Sequence, residues 1–244
     1  MNKLGVKSFK PVVKAVPGGA SVYRVRHAAA APSLSAGLDD PVWMTANVAK
    51  VDQFHPDSSD HHPATLVRAL HHEDGISVRF EVKDQFVRAR CTEDQMITSK
   101  DSCVECFLQP GGDNGYFNFE INCGGVLLLY YIEDAARPVP ANGKLFKRYT
   151  VLPPEHLKLV QIHSTLPKIV EPEIQTKLNW CLSFFAPWEL FQAYAPNVSK
   201  DAPWRGNFFK CGDATSHPHW ASWSNVGEIL RFHQPQRFGT LLLE

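Results

Sequence analysis

The sequence has no excess of either charge: 25 Lys+Arg stand against 25 Asp+Glu, a formal net charge of zero with a pI near 7.2. Nucleic acids and anionic membranes are bound through a basic surplus that releases counterions, so neither is expected as a partner. Long apolar runs are missing too. Lys3, Lys7, Lys10 and Lys14 interrupt every such run near the N-terminus, whereas an export signal needs about 7–15 unbroken apolar residues and a membrane span about 18. The expectation is a cytoplasmic protein, unless a leader has been removed. Methionine is scarce at three, and no hydrolase motif is present.

Only one C-x-x-C occurs, at Cys103 and Cys106. It lies in DSCVECFLQP, a strand-like run, where residues three apart face opposite sides of a sheet and cannot chelate one ion. Without a second such pair a zinc or redox motif is disfavoured. In a chain this long without an export signal, most of Cys91, Cys103, Cys106, Cys123, Cys181 and Cys211 are read as buried free thiols.

What is present suits a packed domain: 44% hydrophobic, 20% charged and 11% aromatic residues, with six Trp and fifteen Phe. Residues 1 to 33, basic and then Ala-rich, read as an N-terminal arm, and 34–244 as one domain. From Leu34 on, short strand-like runs alternate with turn residues, and only Pro187 to Phe191 (PWELF) looks like a helical turn. That pattern is an all-β, two-sheet antiparallel β-sandwich. In GISVRFEVKD, Ile76, Val78, Phe80 and Val82 alternate with Ser77, Arg79, Glu81 and Lys83, as in a half-exposed strand. In YFNFEIN, Phe117, Phe119 and Ile121 share one face, while Tyr116, Asn118, Glu120 and Asn122 share the other. Leu178 to Phe185 is apolar on both faces, as in a central strand.

Six blocks carry a resemblance: LDDPVW (38 to 43), DSCVECFL (101 to 108), YFNFEIN with CGG (116 to 125), PWRGNFFKCGD (203 to 213), PHWASWS (218 to 224) and FHQPQRFGTLLL (232 to 243). In order and spacing the chain resembles the family 9 carbohydrate-binding modules, in a DOMON-like branch of stand-alone bacterial proteins. The resemblance implies an immunoglobulin-like sandwich that binds glycan or oligosaccharide ends without catalysis, in systems that degrade polysaccharides such as xylan, often with structural calcium. Carried over by residue, it places the family's ligand-binding Glu on Glu105 and its closing Asn on Asn122. An Arg of the family becomes Glu120. Of its two clamping Trp residues, one falls near Ser99 and is lost, and the other falls on Phe232.

Sugars are held by apolar walls with a few fixed polar groups. Trp220, Trp223, Phe232 and His233 are candidate walls; Glu105, Asn118, Glu120, Asn122 and Arg205 are candidate polar groups. Trp220 and Trp223 stand three apart, so a regular strand allows at most one of them to face the site. If Glu105 and Glu120 share a face, they match a glycoside hydrolase pair, which keeps a hydrolase open as an alternative; a salt bridge from one of them to Arg205 is the structural counterpart. Calcium has hard oxygen ligands in Asp57, Asp60 and Asp113, beside Asn114, although such clusters also make plain turns. Of the eleven histidines, His61-His62 and His71-His72 are poor chelators on a strand, while His217 and His219 can share a face. A purely structural role, or a haem-binding DOMON-like role with Met96 as ligand, is the remaining alternative.

Overall fold

The computed structural model describes residues 21–138 and 143–244. Among the described residues, turns separate seventeen strands. They are β1 (Val22–His27), β2 (Ala49–Val51), β3 (Gln53–Phe54), β4 (Ala64–His71), β5 (Gly75–Asp84), β6 (Val87–Ala89), β7 (Cys103–Gln109), β8 (Tyr116–Asn122) and β9 (Leu127–Leu128). The rest are β10 (Tyr130–Asp134), β11 (Arg148–Val151), β12 (Gln161–Ser164), β13 (Val170–Ile174), β14 (Leu178–Pro187), β15 (Trp204–Cys211), β16 (Trp220–Ser222) and β17 (Gly239–Leu243). The expected helical turn is α2 (Trp188–Tyr194), after α1 (Pro154–Leu157).

One sheet runs β11-β10-β8-β7-β15-β17 and the other β4-β5-β14-β12. β1 belongs to both. Its first half lies parallel to β17, with Val22 opposite Thr240 and Val25 opposite Leu243, and Arg26 and His27 then pair with Leu70 and His71 of β4. Of the arm expected over residues 1 to 33, residues 1–20 lie outside those described, and Val22–His27 are this strand, with Tyr23 and Val25 buried. A period of two sends Phe117, Phe119 and Ile121 of β8 and Val104, Cys106 and Leu108 of β7 inward against Val78, Phe80, Leu182 and Phe184. Fully burying each such side chain contributes about 1.5–3 kcal/mol.

The half-exposed reading of β5 is corrected. Residues 33–46 cover its polar face at Arg79, while Glu81 is half-buried and Lys83 exposed: Arg79 is 0% exposed, lies over the Trp43 ring at 4.6 Å and donates to Ser183 Oγ and to the carbonyls of Leu34, Ala36 and Gly37. A guanidinium with four of its five N–H groups matched, at least one on each nitrogen, is tolerated inside, and its apolar plane packs on the indole.

A second charged group is sealed between the sheets. Lys210 of β15 points inward, and its Nζ lies 3.4 Å from Asp84 Oδ2 of β5 and 2.7 Å from His219 Nε2, all three residues being buried. His61, the Trp180 indole N–H and the Gln85 backbone N–H complete the shell around Asp84. Burial alone would raise the Asp84 carboxyl, but Lys210 and these hydrogen bonds hold it well below the ordinary carboxylate range.

Candidate functional site

The outward faces of β7, β8 and β15 carry the candidate site because in each strand the other face fills the core, apolar throughout but for Lys210 of β15. The register sets them in rows: Phe209 is opposite Glu105 and Glu105 opposite Glu120, while Cys211 is opposite Cys103 and Cys103 opposite Asn122. Loops then roof this face. Phe107, Tyr116, Leu128, Tyr130, Phe146, Phe209 and Phe238 form a second apolar cluster outside the sheet.

A cleft of about 410 Å³ opens into the roof. Its floor is Asn118, Glu120 and Leu128, and its walls include Tyr130, Phe146, His233, Arg231, Arg137 and Ile97. Asn118 Nδ2 donates to Glu120 Oε1 at 2.8 Å while its Oδ1 accepts the Tyr130 N–H at 2.6 Å, so the floor carboxylate is fixed in orientation. His233 Nδ1 and the Tyr116 hydroxyl share a hydrogen bond of 2.8 Å, and His233 Nε2 lies 3.6 Å from Glu120 Oε1.

Glu105 is directly beside this floor but below it, 3% exposed, with Oε1 accepting the Cys211 thiol at 3.2 Å. Burial, then the charge of Glu120, raises its carboxyl well above the ordinary range. Glu105 and Glu120 thus do share a face, but only Glu120 lines the cleft.

The other expected site residues divide. Phe232 stacks on Phe209, ring centres 4.1 Å apart, and buttresses the roof. Trp220 stands opposite Cys211 and shares the outward face, its indole N–H donating to Asp213, which also takes the Ser99 hydroxyl. Trp223 points the other way, against Tyr23 and Phe208 of the core. Asn122 is held by Asp101 and the Val126 N–H, and Arg205 donates to the Phe238 carbonyl. Those bonds fasten loops to the sheet.

The acids expected for calcium do not fit one site. Asp57 and Asp60 are exposed, and Asp113 Oδ1 already accepts the Tyr131 hydroxyl and the Gly115 N–H in a turn. His219 Nε2 is taken by Lys210, and Met96 is 42% exposed, its sulfur accepting the Thr92 N–H. Phe146, Arg137, Tyr130 and Arg231 had no motif to announce them; only Arg231, next to the FHQP block, had a usable signal.

A sequence profile described as carbohydrate-binding family 9 matches residues 40–243, which span the outward-facing rows, the cleft floor and the roof. The chain belongs to carbohydrate-binding family 9. Among solved structures, this family 9 chain is similar to a Bacteroides uniformis protein provisionally assigned to carbohydrate binding, at 28% identity and TM-score 0.77, covering 92% of this chain and 100% of that one. Two structures of a family 9 module from Caldicellulosiruptor kristjanssonii share the fold. The one in complex with glucose is 12% identical, with TM-score 0.57 over 91% of this chain and 95% of that one. The one in complex with cellotriose is 11% identical, with TM-score 0.60 over 92% and 94%. No curated protein sequence matches the family 9 chain. No helix among its described residues is long and apolar enough to cross a membrane.

Proposed function

We propose that the cleft over Asn118 and Glu120 holds the end of a glycan or an oligosaccharide, and that the protein serves polysaccharide breakdown by binding and not by cleaving. The observation that carries the reading is the oriented Glu120 carboxylate at the floor of an aromatic-walled cleft. Its free oxygen accepts hydroxyl hydrogen bonds, while Tyr130 and Phe146 offer faces to the C–H side of a sugar ring. Arg137 and Arg231 at the rim add planar donors suited to neighbouring hydroxyls. Binding in place of hydrolysis is supported by Glu105, whose carboxyl faces Cys211 below the floor and so does not meet a ligand beside Glu120. Retaining or inverting cleavage needs two carboxyl groups flanking the scissile bond. The solved relatives in complex with glucose and cellotriose support a saccharide ligand for this fold.

A glycan array followed by calorimetry tests the reading. The expected result is binding of one saccharide class, lost in Glu120→Ala with the fold intact. Failure of the folded protein to bind any mono- or oligosaccharide, or full binding by Glu120→Ala, would remove this cleft as the site.

A further inference from the structure

All six cysteines are buried and free, and two of them, Cys103 and Cys211, meet at one carboxyl group, that of Glu105. β15 places Cys211 directly opposite Cys103 of β7, and Glu105, two residues along β7, turns to the same face. The two Sγ atoms and a Glu105 carboxylate oxygen all lie within 4.8 Å of one another. Among the described residues no other His, Cys, Asp or Glu side chains gather three donor atoms so closely. The three side chains are 0%, 1% and 3% exposed for Cys103, Cys211 and Glu105.

We propose that Cys103, Cys211 and Glu105 form a binding site for a divalent cation of the zinc and cadmium type. Tetrahedral zinc, with bonds of about 2.3 Å to sulfur and 2.0–2.2 Å to oxygen, spaces its donors about 3.6–3.8 Å apart. The trio reaches that spacing with movements of an ångström or less, since Cys211 Sγ and Glu105 Oε1 begin 3.2 Å apart. Two thiolates select zinc or cadmium over calcium and magnesium, which prefer oxygen. On binding, each ligand that carries a proton releases it to the buffer, and three protein donors leave a fourth position open. The cation would sit beside the floor carboxylate on the same face, held by residues that do not line the cleft. The sequence motif C-x-x-C does not foretell this site, because its second cysteine, Cys106, points into the core; the partner comes from β15.

The test uses the reduced, chelator-treated full chain titrated with cadmium, then competed with zinc. The expected result is a thiolate-to-cadmium charge-transfer band that saturates at one equivalent and is displaced by zinc. X-ray absorption of the zinc complex then shows two sulfur neighbours at about 2.3 Å. Cys103→Ser and Cys211→Ser should each weaken binding beyond the roughly 10–100-fold that loss of a supporting residue costs. No band from folded wild-type protein, a zinc shell of nitrogen and oxygen only, or a band that survives in both variants would overturn the proposal. If either variant does not fold, the wild-type absorption spectrum decides. Glu120→Ala should keep the band while losing saccharide binding, so the two sites fail separately.

Discussion

Titrating the protein from pH 7 to pH 4 offers a proton to His219, whose ring is sealed between the sheets. Its Nδ1 donates to the His217 carbonyl at 2.9 Å, which leaves Nε2 to accept from Lys210 Nζ at 2.7 Å. A proton on Nε2 would face an ammonium group with no water between them. Burial, then the Lys210 charge, lowers the His219 pKa from 6.5 to about 3. The unfolded chain therefore binds this proton first as pH falls. The contribution to stability is complete above pH 6.5 and shrinks through the window down to about 3. At about 1.36 kcal/mol per unit, roughly 3 kcal/mol is lost by pH 4. Asp84 acts in the opposite sense and lower down: its depressed pKa stabilises the fold above 3.8, and that part is lost only as pH falls further. Urea midpoints by tryptophan fluorescence, taken at pH steps for wild type and His219→Gln, isolate the histidine. The Gln amide keeps an acceptor for Lys210 and a donor for His217 but does not titrate. The stability difference between the two proteins should close by roughly 3 kcal/mol between pH 7 and pH 4. Parallel pH curves would refute the assignment of that proton to His219.

Three further outcomes are expected. Lys210→Met leaves Asp84 buried without its cation and should cost about 3–5 kcal/mol in urea unfolding at pH 7, whereas pairing it with Asp84→Asn should recover part of the loss. Arg79→Leu strands the Leu34, Ala36 and Gly37 carbonyls and should destabilise by about 3 kcal/mol or more while sparing saccharide binding; equal stability would mean that residues 33–46 are held by Trp43 alone. Gly206→Ala would place a Cβ 2.4 Å from the Phe107 carbonyl oxygen, so β15 and β7 must part and thermal unfolding should fall by several degrees, about 2–4 °C for each kcal/mol lost.

The sandwich was legible because alternation of apolar and polar residues maps directly onto strand faces. Phe117, Phe119 and Ile121 fell inward as the period of two required, and α2 lay where PWELF marked a helical turn. What periodicity cannot tell is whether a polar face meets water. Ser77 and Arg79 looked solvent-facing, yet a loop from 33 to 46 covers them, because an Arg with a partner for each of its three nitrogens can be buried. The same limit hid the cleft. Glu120 and Asn118 were found as candidates from their shared face, but the walls come from Phe146 and Arg231, which only tertiary folding brings over β8. Trp220 and Trp223 were correctly split by their spacing of three, although which of them faced outward needed the register with Cys211.

β1 lies between the last strand of one sheet and the first of the other, so its pairing joins residues 22–27 with residues 240–243 and 70–71. Neither half of the sandwich can be closed by its neighbours in sequence. Partial chains emerging in synthesis would show open strand edges at β1 and β15 until β17 arrives, and such edges recruit other chains. A fold so dependent on pairing between its ends pays for loop closure before contacts repay it, which makes for slow and cooperative folding. A length of chain past Leu243 that frees β17 from the machinery making it would be expected to raise the yield of closed sandwich more than any improvement to the core.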